Sequence, residues 1–295
     1  MSSHPFYILD VFAESRYAGN QLGVVLNASD LSTEEMQRIA RETNFSETTF
    51  VLSAELREGG HDVRIFTPAA EVPFAGHPTL GTAWLIRRVL LGGDEEELTL
   101  HLGVGPVRVT FEPDECGVER VWLHQKEPEF GGGFERGQIA ELFGIEPADI
   151  DGRFPIQVVS MGIEFVVVPV TSLAALKRAA FSGERLRRLG LPDLPGLQHL
   201  FCPETHADGN DLCARMFGEA YGVPEDPATG SAAACLTGYL LRHGYFGDER
   251  VDIRIEQGME IGRPSLLLAK GEKVGEGMRI SVGGQVLMTA RGELV

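Results

Sequence analysis

Pro73-Phe74-Ala75-Gly76-His77-Pro78-Thr79 and Pro227-Ala228-Thr229-Gly230-Ser231-Ala232-Ala233 decide the fold of this chain. Each leads from a proline through a glycine and a polar residue into an apolar run, closed by Gly92-Gly93 in one case and Gly244 in the other. Glycine closes helices because it reaches the left-handed backbone region without steric penalty. A helix that is apolar on most sides belongs in a core. The two stretches therefore predict central helices over 76–91 and 230–243. Each follows a strand pattern with Arg-x-Phe, Arg64-Ile65-Phe66 and Arg215-Met216-Phe217. The tails match more loosely, Val104-Gly105-Pro106-Val107 against Gly283-Gly284-Gln285-Val286. One internal repeat of about half the chain accounts for these matches.

Working outward, Tyr7, Leu9 and Val11 alternate with Phe6, Ile8, Asp10 and Phe12 as in a strand, and Tyr17 to Asn20 is a turn signal. Leu22 to Leu26 reads as a buried strand. Ser32 and Glu35 form a capping box ahead of a helix over 32–43. Strands are predicted at 48–53, 62–67, 98–102, 107–111 and 118–123. The stretch 125–134, with Pro128 and Gly131-Gly132-Gly133, reads as a linker. Beyond it the order repeats: strands at 155–160 and 164–170, helices at 173–178 and 184–189, and strands at 197–202 and 211–217. After the second central helix come strands at 251–256, 264–269, 278–282 and 286–290. This organisation predicts two domains, 1–127 and 128–295, with the extreme C-terminal strand able to join the first.

Of the 295 residues, 43 are acidic and 26 basic, a net charge of −17, which argues against a general nucleic-acid or anionic-membrane binder. The densest basic stretch, Lys177 to Arg188, reads as a solvated helix face. Cys116, Cys202, Cys213 and Cys235 are widely spaced, as expected of reduced thiols in a cytoplasmic protein. Neither a leader segment nor a membrane span is predicted. The histidines lack metal-ligand spacing; His199 and His206 are near each other without a third partner. Phosphate-loop, dinucleotide and G-x-S-x-G motifs are missing too, so no metal and no nucleotide cofactor is expected.

The chemistry starts from the two helix beginnings. A helix N-terminus carries unpartnered N–H groups and partial positive charge, and glycine allows close approach. Gly76-His77 and Gly230-Ser231 could together hold a carboxylate or a developing oxyanion; a single such glycine would be no more than an easy start to a helix. Glu47 stands among Phe45, Phe50, Val51 and Leu52. An apolar setting raises a carboxyl pKa and suits a proton shuttle, while a surface cap or salt bridge is an equally good reading from sequence. His77 and Asp226 each sit at or just before a helix start and could meet across a cleft, the acid then fixing the imidazole tautomer. Without the repeat, a locally satisfied histidine is the simpler reading.

The motifs Leu9-Asp10-Val11-Phe12, Asn44-Phe45-Ser46-Glu47-Thr48-Thr49-Phe50, Gly76-His77-Pro78-Thr79-Leu80-Gly81, Glu225-Asp226-Pro227-Ala228-Thr229-Gly230-Ser231-Ala232 and Gln257-Gly258 occur in that order. With Phe66-Thr67-Pro68, Gly262-Arg263-Pro264-Ser265 and Val282-Gly283-Gly284, they resemble the phenazine-biosynthesis PhzF-like family over essentially the whole chain. The resemblance implies an α+β fold of two diaminopimelate-epimerase-like domains, each a barrel-like, mostly antiparallel sheet around a central helix. Epimerases of that superfamily carry a cysteine at each helix start. Here His77 and Ser231 stand there, and Cys235, a turn further on, reads as core. By resemblance, Glu47 is the acid/base of a cofactor-independent isomerase, with His77 and Asp226 beside it. Gly76, His77, Gly230 and Ser231 would bind a small carboxylate-bearing substrate in an interdomain cleft. A homodimer is expected. An amino-acid-like epimerase and a non-catalytic carboxylate-binding member are the alternatives.

Overall fold

The structure, a computed structural model, describes residues 3–295. It forms two compact units, Met1–His124 with Gly283–Val295, and Gln125–Val282.

In the first unit the alternating start forms β1 (His4–Val11), which pairs antiparallel with β2 (Asn20–Val25) and with the chain's last strand, Val286–Leu294. Helix α1 (Thr33–Thr43) begins with the expected reciprocal Ser32–Glu35 capping box and ends at Asn44 in the left-handed conformation. It carries the chain over to β3 (Glu47–Val51), parallel to β2. Antiparallel β4 (His61–Phe66) follows, pairing further along with the short β5 (Glu71–Val72). Helix α2 (Gly76–Leu85) is buried at all ten positions and runs on as a π-helical turn, Ile86–Leu91. Beyond it, β6 (Glu97–Leu102) runs parallel to the start of β4, and β7 (Gly105–Pro113) and β8 (Glu119–His124) continue antiparallel. The helix presses closely on the sheet. A Cβ added at Gly81 would come within 2.6 Å of Leu22 Cδ2 and 2.8 Å of Val11 Cγ2.

The second unit begins with β9 (Glu129–Gly133) and α3 (Arg136–Phe143). The predicted linker is thus partly strand. Two of its three glycines lie close to the chain at and just before β10 (Gln157–Ser160): a Cβ at Gly131 would sit 3.0 Å from Val158 Cβ and one at Gly133 2.9 Å from the Ile156 carbonyl. Close packing, rather than flexibility, explains the lack of side chains at Gly131 and Gly133; a side chain at Gly132 would meet open space. Antiparallel β11 (Glu164–Pro169), helices α4 (Leu173–Arg178) and α5 (Gly183–Leu189), and β12 (Gln198–Cys202), parallel to β11, come next. Strand β13 (Leu212–Gly218) pairs antiparallel with β12 and with β14 (Val223–Asp226). The second central helix, α6 (Gly230–His243), leads to β15 (Arg250–Gln257), which is parallel to the start of β13. Strands β16 (Ser265–Val274), antiparallel to β15, and β17 (Gly277–Gly284) precede the last strand, β18.

The repeat holds in register. Phe50 faces Arg64 across β3–β4 as Leu200 faces Arg215 across β12–β13. Both arginines form a two-pronged bond to a glutamate of the next strand, Arg64 to Glu71 and Arg215 to Glu225. Both guanidinium groups cover the phenylalanine two residues on, 5.1 Å from Phe66 and 4.8 Å from Phe217. Among the described residues, no helix is long and apolar enough to cross a membrane.

Candidate active site

Glu47 is the first residue of β3, set by the sharp turn at Asn44 and by parallel pairing with Leu22. The rest of β3 is buried, so this carboxyl stands at the mouth of a core strand, its side chain 18% exposed. Its Oε2 lies 3.5 Å from Nε2 of His77, the second residue of α2, whose side chain is 6% exposed. Burial pushes the imidazole down from 6.5 to about 3, against the opposing effect of its hydrogen bond to the Gln21 backbone. The ring is therefore neutral across the physiological range, and its contact with Glu47 is a carboxyl–imidazole pair rather than an ion pair. The strand and helix that carry the two groups are bolted together by a hydroxyl pair, Thr49 Oγ1 to Thr82 Oγ1 at 2.7 Å; Thr48 bonds Thr43 of α1 at 2.8 Å. Sequence reasoning passes over these threonines because their partners lie 33 and 5 residues away with no motif linking them.

In the second unit, Asp226 ends β14 and is 7% exposed. Its carboxylate accepts from the Thr229 hydroxyl. The amide of Gln257, fully buried at the end of β15, donates to the Asp226 carbonyl (2.9 Å) and to Thr229 Oγ1 (3.1 Å). Gln257 and Thr229 therefore fix Asp226 in place, a role the sequence reading did not assign. Gly230 and Ser231 open α6 as Gly76 and His77 open α2, and neither helix has a side-chain cap on its first N–H groups. Thr229, in the cap position, spends its hydroxyl on Asp226 instead. Cys235 is buried inside α6 and its thiol is pushed up to about 12, consistent with a packing role.

The structure sets His77 against Glu47, whereas the sequence reading pairs His77 with Asp226. The two acids are not copies of each other. In the register of the repeat, Leu197 takes the place of Glu47, and Val72 that of Asp226. The framework is duplicated and each unit carries a different carboxylate.

A family model described as phenazine biosynthesis-like protein matches residues 9–292. The chain belongs to this family. Among relatives of the phenazine biosynthesis-like family, the trans-2,3-dihydro-3-hydroxyanthranilate isomerase of Pseudomonas chlororaphis is 38% identical over 99% of both chains. The crystal structure of the Bacillus anthracis phenazine biosynthesis protein of the PhzF family matches with a TM-score of 0.90, at 30% identity and with both chains fully covered. A probable proline racemase from Agrobacterium radiobacter shares the fold at a TM-score of 0.63 and 14% identity, over 99% of this chain and 93% of its own. The α+β, repeated epimerase-like architecture of the phenazine biosynthesis-like family is thus the architecture of this chain.

Proposed function

We propose that this isomerase shifts a proton, and with it a double bond, on a small ring carboxylate without a cofactor, with Glu47 as the acid/base. The Glu47–His77 contact carries the reading. The neutral ring spends its N–H on the Gln21 backbone, which leaves Nε2 as a lone pair facing Glu47 Oε2. That lone pair can accept a hydrogen bond from the Glu47 carboxyl while Glu47 is protonated between the two steps, the ring itself staying neutral. In this scheme the Glu47 carboxylate takes a C–H proton beside a conjugated double bond. The freed electron pair moves through the double bond toward the substrate's carboxyl group, and protonation of a second carbon completes the shift.

The substrate carboxylate is proposed to rest on the uncapped N–H groups at Gly76-His77 and Gly230-Ser231, with Asp226 supplying a polar contact from the second unit. Such oriented donors are each worth roughly 3 kcal/mol toward developing negative charge. The relative's substrate, trans-2,3-dihydro-3-hydroxyanthranilate, is the compound to try first. Glu47→Gln keeps the size of the side chain and removes the shuttle. Turnover is expected to fall by at least about 100-fold with substrate binding retained. Near-normal turnover in that variant would remove Glu47 from the role.

A further inference from the structure

A second cluster of reactive side chains lies in the second unit, and the proposed reaction does not use it. His206 stands in the loop between β12 and β13, Cys213 near the start of β13, and Glu256 near the end of β15, where parallel pairing sets it opposite Cys213. His206 Nδ1 is 3.0 Å from Glu256 Oε2 and 3.7 Å from Cys213 Sγ. One donor atom from each of the three residues falls within 4.8 Å of the others. We propose that His206, Cys213 and Glu256 form a binding site for a divalent transition-metal ion, zinc by its ligand chemistry.

Three observations carry this. First, the spacing fits: nitrogen and sulfur ligands of one tetrahedral zinc, at roughly 2.0 and 2.3 Å from it, stand roughly 3.5 Å apart. Second, the ring is oriented as metal-bound histidines are. Its other nitrogen, Nε2, lies 3.2 Å from Oε1 of Glu260, the outer carboxylate that fixes tautomer and direction. Third, the Glu256 carboxylate is buried and held ready. It accepts the backbone N–H groups of His206 (2.7 Å) and Ala207 (2.9 Å) and the Asn210 amide (2.7 Å).

The charges balance on binding. The Cys213 thiol releases its proton to solvent, and the thiolate and the Glu256 carboxylate neutralise the dication, with the neutral imidazole as third ligand.

The repeat supplies an internal contrast. Asp62 and His101 take the places of Cys213 and Glu256 in the first unit. There the cation is built in: the Arg57 guanidinium is 3.2 Å from Asp62, and the Arg57 carbonyl bonds His101. The corresponding loop of the second unit, residues 203–211, contains no lysine or arginine.

The test uses full-length, tag-free protein with the exposed Cys116 changed to serine and metal removed by chelation. Titration with cobalt(II) is expected to load one ion per chain with a sulfur-to-cobalt charge-transfer band in the near ultraviolet, and zinc should displace it. Cys213→Ser should abolish the band. His206→Ala, in a surface loop, should weaken binding while leaving the circular dichroism unchanged, and zinc should raise the melting temperature of the parent but not of this variant. Glu260→Gln should keep the band and weaken binding about 10–100-fold. No retained metal after dialysis against micromolar zinc, or cobalt binding without the sulfur band, would overturn the proposal. Equal affinity in parent, Cys213→Ser and His206→Ala would do the same, leaving the cluster as a histidine held between two carboxylates.

Discussion

At the scale of the residue, the site depends on how few groups hold each functional side chain. His77 is tuned by burial, and Glu47 meets it because β3 and α2 are fastened by Thr49 and Thr82. Asp226 depends on Thr229, which in turn is gripped by Gln257. Replacing Thr229 by valine keeps the shape and removes the hydroxyl. A hydrogen bond to a charged group is worth about 1.5–3 kcal/mol, so turnover should drop roughly 10–100-fold if Asp226 must be held in one rotamer. Steady-state kinetics should place the loss mainly in kcat with the fold intact. Unchanged kcat would mean that Asp226 needs no such support.

At the scale of the element, the duplicated Arg–Glu pair separates framework from function. Both copies tie the strand before a central helix to the short strand that leads into it. Their surroundings differ: Arg215 and Glu225 are each 9% exposed, Arg64 and Glu71 27% and 42%. Arg215 also donates to the carbonyls of Leu176 and Ala179 at the end of α4. Arg215→Met should therefore cost about 3–5 kcal/mol, by stranding a buried carboxylate, and Arg64→Met about 1 kcal/mol or less. Urea unfolding of the two variants checks the contrast, and equal losses would contradict it.

The order of elements was legible because glycine-led apolar helices and Arg-x-Phe strands leave a pattern along the chain. The Gly131–Gly133 strand was not, since a glycine pressed against a neighbouring strand, as Gly131 is against Val158, looks in the sequence like a linker glycine. The Glu47–His77 pairing was hidden as well. It follows from the parallel pairing of β2 with β3 and the depth of α2, neither of which has a local sequence signature. The cluster at His206, Cys213 and Glu256 escaped the spacing argument because its members come from a loop and two strands brought together only by β13–β15 pairing.

For the whole molecule, buried histidines make stability depend on pH. His77 in the first unit is lowered to about 3, and His199 in the second to about 4, both chiefly by burial. An unfolded chain takes up these protons near pH 6.5, the folded one only near 3–4. Stability is therefore full above pH 6.5 and declines as the pH falls through that window. For His199 the full effect is on the order of 3 kcal/mol. His199→Gln should flatten the decline measured by chemical unfolding between pH 6.5 and 4; an unchanged slope would show that His199 titrates alike in both states.

The central claim, removal of a proton from one carbon and delivery of one to another by Glu47, whose partly exposed carboxyl exchanges with solvent between the two steps, is met most directly by nuclear magnetic resonance in heavy water with trans-2,3-dihydro-3-hydroxyanthranilate. The native enzyme should convert it with deuterium entering at a single newly protonated carbon, and Glu47→Gln should neither convert the substrate nor exchange its C–H. Exchange at native rate in Glu47→Gln would contradict the account.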